Sequence, residues 1–333
     1  MMNSIIFALM KIFLTFDYEL FFGKQSGTVA KCMLEPTADL FKLAKGKDVA
    51  YTFFIDVGYL IQADRYPELF DEVTKVKSQI KEMINLGHDV QLHIHPHWEK
   101  ARFTEGAWEM NTRNAYRLSV FDSEDRLAIV KSYKLYLEAL IGREVISFRA
   151  GGWCIQPFSE LRDVFKEVGL KIDSSVFHNG YLITNDYNVD FRRAPLKSKY
   201  KFEMNVCEEV KDGSFTEYQI ASFRYRPSFY WMLYGLGKVL PSKHKMIGDG
   251  EFISQGGNKF LSLTGYTTTH VSTDGYYAKK LDAGLNKAEH LEHNEIIIIG
   301  HPKGNTTYSM NKLNKFIVNN HKKHTFTSFV KES

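Results

Sequence analysis

Five times along this chain, a short apolar run of strand-like residues ends on a side chain able to bind a metal or carry a proton. KIFLTF runs into Asp17 and Glu19, DVQL into His93, His95 and His97, VISF into Arg149, LKI into Asp173, and EIIIIG into His301. Parallel α/β barrels gather their working residues at the C-terminal ends of their strands, so this recurrence constrains the fold and the site together.

Between these runs lie helical patterns. Pro36–Lys45 opens on Pro and Thr; Pro67–Asn85 carries Leu69, Phe70, Val73, Val76, Ile80, Met83 and Ile84 near a 3.6 period and stops at Gly87. Ser123–Ile141 is a second long amphipathic stretch closed by Gly142, and Pro157–Val168 is closed by Gly169. Strands alternating with helices of this length predict βαβ units. From about Val176 to Leu291 the alternation weakens into a stretch rich in Tyr, Phe, Gly, Asn and Ser, with a candidate helix at Arg226–Leu240. Order returns at Glu295–Gly300, a helix near Asn311–Asn320 and a strand-like Thr325–Val330. The expectation is one domain over 11–333, with an aromatic-rich insertion at about 176–291 and an N-terminal extension at 1–10.

Composition excludes several classes. In 333 residues, 44% are hydrophobic and 25% charged, with a net charge of +4 and no long block of like charge, so no nucleic-acid partner is expected. Cys32, Cys154 and Cys207 form no CxxC pair and suit neither a disulfide framework nor a thiolate metal site. The apolar run Ile5–Met10 is short and lacks a basic lead, and no run reaches a membrane span; a cytoplasmic location is expected.

Within the site segments, Asp17 and Glu19 are two apart in a strand and share a face, where two carboxylates repel unless a cation or proton lies between them. Three histidines within five residues, His93, His95 and His97, supply the commonest neutral metal ligand. Pro96 predicts a turn, so two of the three are expected to reach a metal; residues four apart converge across a turn, which makes His93 and His97 the first choice and His95 the reserve. Two histidines with one carboxylate suit a divalent ion, zinc first. Arg149 precedes Gly151-Gly152, where the backbone can bend tightly. His301 follows four isoleucines and Asp173 a short run; taken singly, neither has a defined role.

In order, these segments resemble the metal-dependent polysaccharide deacetylases, carbohydrate esterase family four. TFDYE is similar to the family's Thr-Phe-Asp-Asp motif, Gly87–His97 to its Gly-His-acid lead into His-x-x-x-His, Phe148–Trp153 to its Arg-bearing motif, Asp173 to its fourth, and Ile299–His301 to its closing apolar-x-His. The resemblance covers roughly 11–175 and 293–330. It implies a distorted (β/α) barrel with fewer than eight parallel strands. It implies Asp17 as general base, Glu19, His93 and His97 as metal ligands, His301 as general acid, Arg149 as the residue holding the base, and Asp173 as tuner of a catalytic partner. Glu19 stands one position beyond the usual second Asp, so the roles of Asp17 and Glu19 could be exchanged. The activity implied is removal of acetyl from an N- or O-acetylated carbohydrate in surface-polysaccharide biosynthesis. The alternatives are hydrolysis of a small non-carbohydrate amide, or a catalytically inactive relative that binds sugar and retains metal.

Overall fold

The computed structural model describes residues 9–184, 187–253 and 259–332, so the first eight positions of the expected N-terminal extension lie outside the described residues. Along the main path of the sheet, seven of the described strands run parallel: β1 (Lys11–Tyr18), β2 (Tyr51–Asp56), β3 (Asp89–Ile94), β4 (Ser147–Ala150), β5 (Ile172–Asp173), β6 (Phe215–Tyr218) and β7 (Glu295–Gly300). Their order in the sheet is β6-β5-β4-β3-β2-β1-β7, with Lys199–Phe202 added antiparallel outside β6. Single bridges from Ile220 to Phe177 on one side and Ile297 on the other link the two ends of the sheet. Thr325–Phe326 pairs parallel with β1 off this path, and the main path, with fewer than eight parallel strands among the described residues, forms the distorted barrel that the resemblance implies.

The strands are apolar because both of their faces are covered. Ile296 to Ile299 are each no more than 1% exposed, as expected of parallel strands between a packed interior and an outer layer of helices. That layer comprises α1 (Glu35–Ala44), α2 (Phe70–Asn85), α3 (Ser123–Ile141), α4 (Arg162–Val168) and, past α5 (Pro227–Val239), which packs in a separate apolar cluster, α6 (Leu281–His290) and α7 (Thr307–Asn320). In α2 the buried positions Val73, Val76, Ile80 and Met83 form the predicted stripe, while Phe70, also expected in it, is 70% exposed at the first turn. Asp122 caps α3, accepting from the Asp125 N–H at 2.8 Å, and Gly142 ends it in the left-handed conformation at φ 70°.

Three boundaries differ from expectation. The segment from Pro157 is a short 3-10 turn, and α4 starts only at Arg162. The last strand is two residues, Thr325–Phe326, because the chain then turns so that Phe329 closes the bottom of the barrel, against Phe13 of β1, Phe54 of β2 and Tyr218 of β6. The aromatic-rich middle also contributes β6 to the barrel itself, where it pairs with β5 through Glu217 and Asp173. Its alternation is too brief, four residues, to stand out among similar short runs.

Candidate active site

At the C-terminal ends of the strands lies a cavity of about 350 Å³. β1 delivers Asp17, and Glu19 follows one residue past its end. Both face the same way, as period-two geometry requires: His301 Nε2 lies 3.6 Å from Asp17 Oδ2 and 3.7 Å from Glu19 Oε1. Arg149 on β4 is fully buried and rigidly held. It donates to Asp17 Oδ1 at 2.7 Å, to the Ser174 carbonyl at 2.7 Å and to Ser174 Oγ at 3.0 Å, and its guanidinium lies 4.2 Å over the ring of Phe54. Burial works against a charged Asp17, yet Arg149, with His93 and His301, holds its carboxyl below the ordinary carboxylate range.

The three histidines at the end of β3 and just beyond it part ways. His93 Nδ1 is 2.8 Å from the Arg149 carbonyl, a donor arrangement that turns its other nitrogen, Nε2, toward Glu19 Oε2 at 3.1 Å. His95 Nε2 is 2.7 Å from the same oxygen. Glu19, His93 and His95 place their ligand atoms within 4.8 Å of one another, all buried. His97, the first choice from spacing, stands outside this group and His95 replaces it. The reason is local: the backbone stays extended through His95 (φ −107°, ψ 95°), so the two-residue period carries His95 to the face of His93. Pro96 then starts a 3-10 turn, which tucks the His97 ring against Phe22 and Tyr116, at centroid distances of 4.6 and 5.8 Å.

One carboxylate oxygen facing two imidazole Nε2 atoms in a buried setting fits a divalent ion. Burial pushes the His95 ring down to about 4, which keeps it neutral as a ligand must be. The other oxygen of Glu19, Oε1, accepts from Lys303 Nζ at 2.9 Å; that ammonium is itself buried, bonded to the Leu20 carbonyl and lying over the rings of Phe21 and Phe22. Burial opposes a charged Glu19 as well, but Lys303, His95 and His93 hold it well below the usual range. Lys303 thus occupies one oxygen and leaves Oε2 to the histidines.

His301 follows β7. Its Nδ1 is 2.7 Å from Asp274 Oδ2, and its backbone N–H donates to Asp274 Oδ1 at 2.7 Å. Burial alone would favour the neutral ring, but Asp274, with Asp17 and Glu19, carries it up to about 9.

No family model matches the chain, and no curated protein matches it in sequence. Solved structures do. A protein from Mycobacterium smegmatis assigned as a polysaccharide deacetylase superimposes with a TM-score of 0.51 at 16% identity, over 95% of this chain and 85% of its own. The fold is that of the polysaccharide deacetylases. The Puue allantoinase has the same TM-score, 0.51, at 13% identity, over 97% of this chain and 89% of its own.

On this deacetylase fold, Asp173 does not reach His301. Its carboxyl accepts from Ser175 Oγ at 2.7 Å and from the Ser175 N–H at 3.2 Å, and pairs with Glu217 across β5 and β6. The carboxylate beside His301 is Asp274, whereas Asp173 is fixed in β5, four strands from β1 along the sheet. Ser175 Oγ in turn accepts from the Ala150 N–H at 2.9 Å, so Asp173 braces the turn after Arg149.

Asp274, Lys303 and Asp56 went unread in the sequence. Asp56 ends β2 beside His93, accepts from the Trp98 indole at 2.6 Å, and burial raises its carboxyl to about 7. It follows the same apolar-run-then-acid pattern as the five segments first noticed. Asp274 follows Thr267–His270, too polar a run to read as a barrel element. The glycines after Arg149 make room: a Cβ on Gly151 would meet His95 Nδ1 at 2.5 Å, and one on Gly152 the ring of Tyr116 at 2.5 Å. Phe22, Tyr116, Trp153, Phe252 and Tyr277 line the cavity together with the polar groups.

Proposed function

We propose that this protein is a metal-dependent hydrolase that removes acetyl from an acetylated carbohydrate, with zinc as the first-choice ion. The observation carrying this reading is the convergence of Asp17, Glu19, His93, His95 and His301 on one cavity of about 350 Å³, within the size range of small-ligand sites. Glu19, His93 and His95 would hold the ion. When bound, such an ion lowers the pKa of water from about 15.7 toward about 7 and polarises a carbonyl.

The chain's own residues supply the remaining steps. Asp17, kept ionised and fixed by Arg149, accepts the proton of the attacking water at Oδ2, the oxygen not bonded to Arg149. Backbone N–H groups of Gly151–Trp153 support the developing oxyanion. His301, protonated and aimed by Asp274, donates from Nε2 to the departing amine or alcohol. The aromatic wall packs against a sugar ring and excludes water.

A second reading, hydrolysis of a small non-carbohydrate amide, draws on the enclosed aromatic cavity and on the allantoinase that shares the fold. Elemental analysis of purified protein, paired with acetate and ammonia release from acetylated sugars and from small amides, tests both. Stoichiometric divalent metal with acetate release supports the deacetylase; hydrolysis without acetate, read as ammonia from a primary amide or as a new carboxylate from a cyclic one, supports the second reading. Protein folded and metal-free after purification in metal-containing buffer, and inert on every substrate, overturns both.

A further inference from the structure

From Ala221 to Gly248 the sequence has the cations Arg224, Arg226, Lys238, Lys243 and Lys245 and no aspartate or glutamate. The centre of this stretch is α5. Its inner face is buried, where Phe229 and Tyr230 pack with Tyr225 and Tyr276. Tyr225 and Phe229 also hold the ring of Tyr277, at 5.5 and 5.3 Å, and Tyr277 walls the candidate active site.

The outer face is apolar and open. Trp231 is 64% exposed, Met232 46% and Val239 75%, and on the neighbouring helix Lys259–Thr264, Phe260 is 74% exposed. The indole of Trp231 donates to the Leu263 carbonyl at 3.1 Å, tying the two helices together. Single exposed apolar side chains are ordinary; several large ones on one pair of joined helices mark a contact surface.

Cations flank this surface. Lys238 and Lys243 are exposed at the end of α5 and just beyond it. At its start, an open cavity of about 730 Å³ is lined by Arg224, Arg226, Lys279 and Lys280 together with Met232, and among the described residues no acidic side chain lines it. A surface that joins large apolar side chains, a tryptophan and unpaired-sign cations matches a bilayer with anionic headgroups, where apolar groups enter the acyl boundary and cations meet phosphates.

We propose that the outer face of α5 and the helix Lys259–Thr264 docks on an anionic lipid surface. Trp231, Met232, Val239 and Phe260 enter the interface, and the cation-lined cavity engages lipid phosphates. Because Tyr277 links α5 to the catalytic cavity, docking would bring that cavity close to a membrane-anchored acetylated glycan. This last consequence rests on the deacetylase reading; the docking does not.

The test is co-sedimentation of the full chain with vesicles of phosphatidylcholine alone or with about one-quarter phosphatidylglycerol. Partition is expected to be at least about tenfold stronger on the anionic vesicles and to fall as salt shortens the screening length. Trp231→Ser with Phe260→Ser should weaken it at least about fivefold, and Arg224→Glu with Lys279→Glu should remove the preference for anionic lipid. Circular dichroism and melting check that each variant folds. Should either pair fail to fold, Lys238→Glu with Lys243→Glu, both at exposed positions, must still reduce anionic binding. Equal partition into both vesicles, no partition, or undiminished partition by folded variants overturns the proposal. So does concentration-dependent self-association that Trp231→Ser abolishes, which would assign the face to a second copy of the chain.

Discussion

His95 and His97 differ by two positions and by their chemical prospects. His95 faces Glu19 at 2.7 Å, whereas His97 lies between Phe22 and Tyr116. His95→Ala is therefore expected to reduce zinc occupancy at least about tenfold, and His97→Ala to leave it nearer the parent value while lowering the melting temperature; equilibrium dialysis with metal analysis reads both. Asp17→Asn keeps the shape of the site and removes the proton acceptor, so metal content should persist while kcat falls by about 10²- to 10⁴-fold. Asp274 sets the third expectation. His301 must be protonated to act as an acid, and its pKa is raised to about 9, so kcat/KM should hold through neutral pH and fall as pH rises through about 9. The same sign governs stability: what the His301–Asp274 pair contributes is fully present below about 6.5 and is lost as pH rises through about 9. Asp274→Asn should move the alkaline limb of the pH–rate profile downward by at least about one unit, because the nearest anion is gone.

At the scale of elements, each strand positions its terminal side chain by being packed tightly up to its last residue. β7 shows how little slack there is. A Cβ on Gly300 would meet Thr273 Oγ1 at 1.9 Å and the ring of Phe16 at 3.1 Å. Thr273 precedes Asp274 and Gly300 precedes His301, so one added methyl pushes apart the two segments that form the acid pair. Gly300→Ala is expected to destabilise the protein by about 1–3 kcal/mol by overpacking and to lower kcat more than an equally destabilising change elsewhere; denaturant titration beside steady-state rates separates the two effects. The strand-end rule was legible in the sequence wherever a run was long and apolar, as in β1, β3 and β7. It failed for Asp56 only because the run before it was read as structure alone, and for Asp274 because the TTTH run of Thr267–His270 looks like a surface loop.

Across the whole molecule, the site rests on a column of side chains through the barrel. Phe329 at the bottom packs on Phe54 at 5.8 Å, Phe54 lies under the Arg149 guanidinium at 4.2 Å, and Arg149 holds Asp17 at 2.7 Å. Phe329→Ala removes the base of this column and should cost about 3–5 kcal/mol of stability, read by thermal or denaturant unfolding. Among the described residues no helix is long and apolar enough to cross a membrane, so the lipid contact inferred for α5 would be peripheral.

Local chemistry was enough to determine the alternation of strands and helices and the identities of Asp17, Glu19, His93, Arg149 and His301 as residues at strand ends; the distorted barrel was what the resemblance of the ordered motifs implied. The alternation and the strand-end residues follow from hydrophobic period and from residue type, which the chain carries in itself. Tertiary structure alone decided that His95 rather than His97 faces Glu19, that Asp274 holds His301 while Asp173 braces the turn after Arg149, and that Lys303 occupies one oxygen of Glu19. Each of these depends on where the backbone turns after a strand ends and on which neighbour the turn brings within 3 Å. A one-residue change in that turn exchanges partners without altering any pattern along the sequence.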